Sequence, residues 1–304
     1  MRRLRYTLEP QDAGRTVKSI ALRELRLSRG QFSSLKFRDG LRVAGRPVRA
    51  DERLSAGDTL EALLCDTAEP IRPYEAPLKI AYADEDYFIL DKPAPLPTLS
   101  SAHQEGPTLE NALYAHLGCP ENYVFRPVNR LDKGTSGLLA AARNAHAQQL
   151  LQRQLHTPEF IREYQALCLG APPREAGRID LPIARAGEGG RRGVSPDGKP
   201  AVTHYRLEAQ GAGLSLLRLR LETGRTHQIR VHLAALGCPI LGDYLYGAAD
   251  PALPGRFALH ACLLSFRHPL TGRIVACESP LPAPLAARLD GLTIPGEAPI
   301  INKL

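Results

Sequence analysis

The sequence of 304 residues predicts an α+β protein: a small α+β domain is followed by a larger domain with a mixed, mainly antiparallel sheet and flanking helices. Three observations predict this. Residues 1–64 contain two helical patterns and several short strand patterns. Residues 65–78 are rich in proline and show no periodicity, which indicates a linker. Over 79–304, strand-like runs alternate with helical stretches.

Composition and cysteine usage restrict the class of protein. A hydrophobic fraction of 43% is typical of a globular chain, and no apolar run approaches the roughly 18 to 20 residues that a membrane helix needs. The start, MRRLRYTLEP, has no apolar segment behind its basic residues, so we expect no signal peptide and no membrane anchor. The six cysteines include no C-x-x-C pair, which argues against a zinc knuckle or a disulfide framework and favours a cytoplasmic location.

The first domain is predicted to contain two helices, a hairpin and a closing strand. Apolar positions in TVKSIALRELR recur at helical spacing, and Ser28 is a candidate N-cap for a second helix. Short strands are predicted over 41–43, at Val48 and over 60–64, with turns between them.

Positive charge is concentrated in this domain. Residues 1–64 contain 14 Lys and Arg against 8 Asp and Glu, an excess of 6 within the chain's net charge of +7. This asymmetry predicts a basic module that faces a polyanion. From charge alone, a solvated basic face remains the alternative.

The segment also resembles the S-four-like RNA-binding domain. The pattern of that family is matched by Ser28-Arg29 at a helix start, by the glycine-led hairpin over 40–48 and by Gly57-Asp58. The front differs, because 15–17 read Arg-Thr-Val where the family has Arg-Leu-Asp. The resemblance implies that the helix beginning at Ser28 presents basic residues to structured RNA: Arg29, Lys36 and Arg38.

The second domain is predicted to be a large sheet with helices packed on it. The strand-like runs are KIAYADEDYFILDKP, GLLAAAR, REYQALCLG, VTHYRLEA and LSLLRLRLET. The helical stretches include NAHAQQLLQRQL and RTHQIRVHLAAL. The glycine-rich, basic segment AGEGGRRGVSPDGKP is predicted to be a mobile loop.

One carboxylate stands out in RPVNRLDKGTSGLLAAARN. Asp132 lies between Arg130 and Lys133, in a turn that leads into a strand, and such positions often present reactive groups. From this stretch alone, an Asx-turn that only accepts backbone N–H bonds is an equally good interpretation.

Two further segments contain candidate partners. A helix that begins near Thr226 would place Arg230 beside an apolar stripe, where a buried cation needs an anion. Arg230 is therefore a candidate to hold Asp132 in its ionised form, although a surface arginine is the alternative. Tyr164 falls on a predicted strand, either as part of the sheet core or as a flat surface for a nucleobase.

Together, these segments resemble the RluA-type pseudouridine synthases, from about Lys79 to the region of Pro280. The family pattern His-Arg-Leu-Asp, two variable residues, Thr-Ser-Gly-Leu is met over 130–138, Gly-Arg-Thr-His-Gln-Ile-Arg-Val-His over 224–232, and Gly-Asp-x-x-Tyr-Gly over 242–247. The segment 258–272 is similar to the closing strand of the family. Two positions differ: Asn129 replaces the usual histidine, and KPAPLPT has proline where glycine is common.

This resemblance implies that Asp132 is the catalytic carboxylate, that Tyr164 lies against the target base and that Arg230 forms a salt bridge with the aspartate. Arg130 would assist RNA binding and base extrusion. Arg225 and His227 are further candidates for RNA binding.

The chemistry of uridine isomerisation is compatible with a single carboxylate. A glycoside hydrolase needs two, one of them an acid for the leaving group. Whether Asp132 adds to the sugar or removes a sugar proton stays open. His227 and His232 are separated by i, i+5 and cannot share one helix face, so we expect no metal and no cofactor.

The sequence therefore predicts a cytoplasmic, monomeric pseudouridine synthase that acts on structured RNA, with large-subunit ribosomal RNA favoured and tRNA as an alternative substrate. Two other functions stay open at this point. One is a catalytically inactive RNA-binding or ribosome-assembly protein of the same fold, and the other is an RNA glycosidase that releases free uracil.

Overall fold

The structure, a computed structural model, describes residues 2–64, 71–100, 106–187 and 190–294. The predicted linker and the end of the predicted second domain thus lie partly outside the described residues. The described chain forms a four-stranded sheet, a ten-stranded sheet and a separate two-stranded hairpin.

The small sheet is antiparallel and packs with two helices. Its elements are β1 (Arg2–Thr7), α1 (Val17–Arg23), α2 (Arg29–Phe37), β2 (Leu41–Val43), β3 (Arg46–Pro47) and β4 (Thr59–Leu64), and its strand order is β1-β4-β2-β3. The predicted helices, hairpin and closing strand are confirmed, except that the second strand of the hairpin is Arg46–Pro47 and ends before Val48. Strand β1 was not predicted, and it pairs with β4 along its whole length.

Local sequence explains how α2 begins. The Ser28 hydroxyl accepts a hydrogen bond from the Gln31 amide (3.1 Å), and the Gln31 side chain accepts one from the Ser28 amide (2.9 Å). This reciprocal capping box confirms the predicted N-cap. The apolar face of α2 buries Phe32 and Leu35 in the core of the small sheet.

The large sheet is mixed and mainly antiparallel, which confirms the predicted fold class. The strands after residue 78 are β5 (Lys79–Ala83), β6 (Tyr87–Lys92), β7 (Arg126–Pro127), β8 (Ser136–Ala142), β9 (Phe160–Leu169), β10 (Ala176–Asp180), β11 (Ile183–Arg185), β12 (Arg192–Val194), β13 (Val202–Gly211), β14 (Leu214–Leu221), β15 (Leu259–Arg267) and β16 (Ile274–Glu278). The sheet runs β10-β13-β14-β9-β15-β8-β6-β5, with β16 beside β15 and β7 beside β8. Strands β8 and β15 are parallel.

Four helices accompany these strands: α3 (Leu109–His116), α4 (Ala145–Gln152), α5 (Gln228–Ala235) and α6 (Ala283–Ala286). Across the ranges that the structure describes, no helix has the length and apolarity to cross a membrane.

Strands β11 and β12 form the separate hairpin. The prediction of a loop for AGEGGRRGVSPDGKP was wrong at β12, because Arg192–Val194 pairs with Ile183–Arg185. The glycines of the segment suggested an irregular chain, and no pattern in the preceding residues predicted a strand that could pair with it.

The middle of the large sheet brings the predicted functional segments together. Strand β8 is buried along its whole length and follows the loop that carries Asp132. Gly137 in β8 has a φ of +104°, and a Cβ atom there would lie 2.2 Å from the Ala261 carbonyl oxygen of β15. Glycine is therefore required for the close approach of these two strands.

Candidate active site

One cavity of about 920 Å³ collects the residues that could carry chemistry. The loop before β8, strand β9 and the segment that leads into α5 line it. Six residues singled out in the sequence lie in this lining: Asp132, Tyr164, Arg230, Arg130, Arg225 and His227. The other three candidates, Arg29 and Lys36 on α2 and Arg38 directly after it, are exposed and do not line the cavity.

Positively charged side chains outnumber negatively charged ones in the lining of the cavity. Among the described residues that line it, Asp132 is the one carboxylate. Five lining residues are permanent or near-permanent cations: Arg130, Lys133, Arg162, Arg225 and Arg230. The cavity therefore suits a polyanion, with a single acidic side chain available at its wall.

Two hydrogen-bonded contacts hold the Asp132 loop in place. The Thr98 hydroxyl donates to the Leu131 carbonyl (2.7 Å) and accepts from the Leu131 amide (3.2 Å). On the other side of Asp132, the Leu96 amide donates to the Lys133 carbonyl (3.0 Å). The KPAPLPT segment thus fixes the backbone on both sides of the carboxylate, whose side chain is 29% exposed.

Lys92 supports the same loop from inside the protein. Its side chain is fully buried, and its Nζ donates to the Leu96 carbonyl (2.6 Å), to the Pro93 carbonyl (3.0 Å) and, at 3.4 Å, to the Lys133 carbonyl. Burial lowers the pKa of Lys92 to about 7, although the charge of Asp132 acts in the opposite direction.

Arg230 connects two carboxylates. Its Nη1 lies 3.2 Å from Asp132 Oδ2, so the predicted ion pair is confirmed. Its main partner is Asp243, which is fully buried and accepts from Nε at 2.7 Å and from Nη2 at 2.8 Å. Burial alone would lower the pKa of Arg230. The contacts with Asp243 and then with Asp132 outweigh this effect, so the pKa of Arg230 is raised.

His227 faces Asp132 from the start of α5. Its Nε2 lies 3.9 Å from Asp132 Oδ2, and its Nδ1 lies 2.9 Å from the Tyr246 hydroxyl, which accepts a hydrogen bond from the Arg192 amide of β12. Burial lowers the pKa of His227, which favours the neutral ring. Because Tyr246 can donate its proton to Nδ1, this arrangement favours the tautomer whose N–H on Nε2 points toward Asp132.

Strand β9 presents Tyr164 and Arg162 on one face. Both are buried, at 5% exposure each, and both line the cavity. They are two positions apart, so their side chains leave the strand on the same side. Burial raises the pKa of the Tyr164 hydroxyl, so the tyrosine side chain stays uncharged.

Asn129, at the position where the family usually has histidine, makes a hydrogen bond to strand β8. Its side-chain carbonyl accepts a hydrogen bond from the Ala140 amide of β8 at 2.9 Å. The residue is 7% exposed. It therefore ties the Asp132 loop to β8, three residues before the carboxylate.

Metal ligation has no support in the described residues. Within them, no group of three or more His, Cys, Asp or Glu side chains is arranged to hold an ion.

Comparisons with known proteins identify the family of this chain. Residues 86–235 match the family model described as RNA pseudouridylate synthase. The chain is 37% identical over 261 residues to "Ribosomal large subunit pseudouridine synthase D" of Haemophilus ducreyi, covering 80% of each chain. It is 36% identical over 311 residues to the protein of that name from Xanthomonas campestris pv. campestris, covering 95% of this chain and 92% of the relative. The chain belongs to the RNA pseudouridine synthase family.

A solved structure agrees with this assignment. The synthase shares 27% identity and a TM-score of 0.58 with "Human RNA Pseudouridylate Synthase Domain Containing 1", over 75% of this chain and 91% of the human one. The resemblance to RluA-type synthases and the expectation of an RNA-modifying isomerase are therefore confirmed.

Sequence reasoning missed three residues that shape the site of this synthase. Asp243 and Tyr246 both lie in the quoted motif Gly-Asp-x-x-Tyr-Gly, which could have nominated them as partners of Arg230 and His227. Lys92 opens KPAPLPT, and a lysine that ends an apolar strand was a possible sign of burial.

Proposed function

We propose that this synthase isomerises uridine to pseudouridine in large-subunit ribosomal RNA, with Asp132 as its catalytic carboxylate. The substrate class follows the printed names of the bacterial relatives. The observation that carries the catalytic assignment is the placement of one carboxylate, bound to Arg230, in a cavity lined by five cations.

The reaction suits this arrangement. The bond between nitrogen 1 of uracil and the ribose breaks, a bond from carbon 5 to the same ribose carbon forms, the carbon 5 proton leaves and nitrogen 1 gains a proton. Asp132 either attacks the sugar or removes a proton from it, and both routes need its ionised form. Arg230 places a positive charge and a hydrogen-bond donor 3.2 Å from this carboxylate.

The other lining residues have roles in holding the base and the strand. The target uridine leaves its stack to reach Asp132, which costs a few kcal/mol and less in loops or bulges. Tyr164 offers a flat ring to the extruded base, and Arg130, exposed at the rim, can occupy the space that the base leaves. Arg225 and His227 line the same cavity and are placed to contact the RNA that enters it.

The first 64 residues supply phosphate contacts outside the lining of the cavity. Arg29, Lys36 and Arg38 are exposed on α2, as an RNA-binding surface requires. Phe37 between them is 80% exposed and can stack on an unpaired base. The division into an S-four-like domain (1–64), a linker (65–78) and a catalytic domain (79–304) is part of this proposal, as are a monomeric state and a cytoplasmic location.

The test is to map pseudouridine in ribosomal RNA and tRNA from cells with and without the protein. A large-subunit site that is lost in the deletion strain, restored by the intact chain and not restored by Asp132→Asn would support the proposal. A site lost from tRNA instead would change the substrate. Free uracil as the product in vitro would establish a glycosidase.

A further inference from the structure

Arg162 is a buried cation without an acidic partner among the residues that the structure describes. Its side chain is 5% exposed, and its one hydrogen bond within the described structure runs from Nη2 to the Leu155 carbonyl at 3.2 Å. The Nε atom is buried and has no hydrogen-bond partner there. Arg230, buried to the same degree, binds two carboxylates.

Such a charge is costly in the free protein. A buried ion without a counter-ion loses hydration that a single carbonyl does not replace. Burial accordingly lowers the pKa of Arg162. An anion that enters the cavity would supply the missing charge and the missing hydrogen-bond acceptors.

The surroundings of Arg162 leave space for such an anion. The residue lines the cavity, and Gly224 lies directly beside its guanidinium: a Cβ atom at Gly224 would stand 3.0 Å from Nη1. The lack of a side chain at Gly224 thus avoids a tight contact with the guanidinium. Tyr164, two positions along the same face of β9, lies about 7 Å further along the strand.

We propose that Arg162 forms a phosphate site that holds a backbone phosphate of the target nucleotide while its base lies against Tyr164. The proposal rests on the proposed function, because it takes RNA as the ligand. A guanidinium can bind two phosphate oxygens at once, which a point charge cannot do. The spacing to Tyr164 is comparable to the span from a nucleobase to its own phosphate, so one nucleotide can occupy both contacts.

Arg162→Met separates this role from a structural one. Methionine keeps an unbranched apolar side chain and removes the charge, so the free protein should keep or gain thermal stability. Affinity for a transcript of large-subunit ribosomal RNA should fall about 10- to 100-fold, as expected for one charged hydrogen-bonded contact. The slope of log affinity against log salt should fall by about 0.7 to 0.9, the value for one phosphate.

Two further variants make the test specific. Gly224→Ala leaves every charge in place but crowds Nη1, so it should weaken RNA binding even though the protein stays folded. Arg178→Met is the matched control: this arginine is half-exposed on β10 and already paired with Asp180 (2.6 Å), so its loss should change neither affinity nor slope.

A chemically modified RNA decides which group Arg162 binds. Once the target uridine is mapped, its neighbouring phosphates are replaced one at a time by uncharged methylphosphonates. One replacement should weaken binding to the wild-type protein and have little effect on Arg162→Met.

Equal losses in both proteins, or an unchanged salt slope in Arg162→Met, would overturn the phosphate site. If Arg162→Met does not fold, Gly224→Ala takes its place in this comparison. The phosphate site would then be overturned if Gly224→Ala bound RNA as tightly as the wild-type protein does. Formation of pseudouridine by the wild-type protein is measured separately, so the inference can fail while the proposed function stands.

Discussion

The buried arginines of the cavity and the basic residues of helix α2 differ in how they are solvated. In the cavity, Arg230 is 3% exposed and its geometry is fixed by two carboxylates. On α2, Arg29, Lys36 and Arg38 are exposed to solvent. Buried charges interact strongly and over short, defined distances, whereas exposed ones are screened by water and salt. Substitutions of the buried cavity charges should therefore change turnover, stability or a local contact to the substrate, whereas substitutions on α2 should change only affinity and its salt dependence.

The largest effect is expected from Asp132→Asn. The amide keeps the shape of the side chain and removes the charge that both reaction routes need, so turnover should fall on the order of 10³-fold or more. Arg230 keeps its bonds to Asp243, so the fold should be little changed. The measurement is release of the carbon 5 hydrogen from labelled RNA, beside a thermal melt.

The control for that experiment is Asp51→Asn, at an exposed carboxylate of the small sheet region, which should retain full activity. Residual turnover of the Asp132 variant near the wild-type rate would show that this residue only shapes a turn.

Arg230→Ala should reduce both activity and stability. It leaves Asp243 buried without its partner, and breaking a buried pair in this way costs about 3 to 5 kcal/mol of unfolding free energy. Loss of activity in this variant alone would therefore not separate chemistry from folding. Arg230→Met combined with Asp243→Leu removes both charges and should recover much of the stability but none of the activity. Recovery of activity in the double variant would exclude a direct role of Arg230 toward Asp132.

The buried Lys92, unlike the exposed lysine of α2, should make the stability of the protein depend on pH. Its pKa of about 7 in the folded protein lies below the ordinary lysine value of 10.5, so between these values the unfolded chain binds more protons. The unfolding free energy should therefore rise with pH from about 7 upward, by at most about 1.4 kcal/mol per pH unit. Lys92→Met should lose this rise between pH 7 and 9 in denaturant titrations. Lys36→Met, at an exposed lysine of α2, should keep it. Identical slopes for the wild-type protein, Lys92→Met and Lys36→Met would contradict the lowered pKa of Lys92.

The sequence predicted those features that depend on local pattern. Ser28 caps α2, the alternating runs form strands, and the resemblance placed Asp132 and Arg230 together. It missed β1 and β12, since each depends on pairing with a strand elsewhere in the chain.

It also missed Asp243 as the main partner of Arg230. A sequence shows that a buried cation needs an anion, but not which of several acids the fold brings near. The same limit applies to Arg162: its lack of a carboxylate is a property of the packed structure, and the sequence shows only an arginine next to Glu163.

The smallest effect is expected from helix α2. Replacing Arg29, Lys36 and Arg38 by serine together removes three exposed charges without disturbing the core residues Phe32 and Leu35. Each lost phosphate contact should lower the salt slope by about 0.7 to 0.9, and RNA affinity should fall while turnover at saturating RNA stays unchanged. The thermal midpoint should stay the same, because exposed charges contribute little to stability. Arg267→Ser, at an exposed arginine paired with Glu159, serves as the control. A fall in saturated turnover, or an unchanged salt slope, would show that α2 does not act as a separate binding surface, and the contrast between the two regions would have to be abandoned.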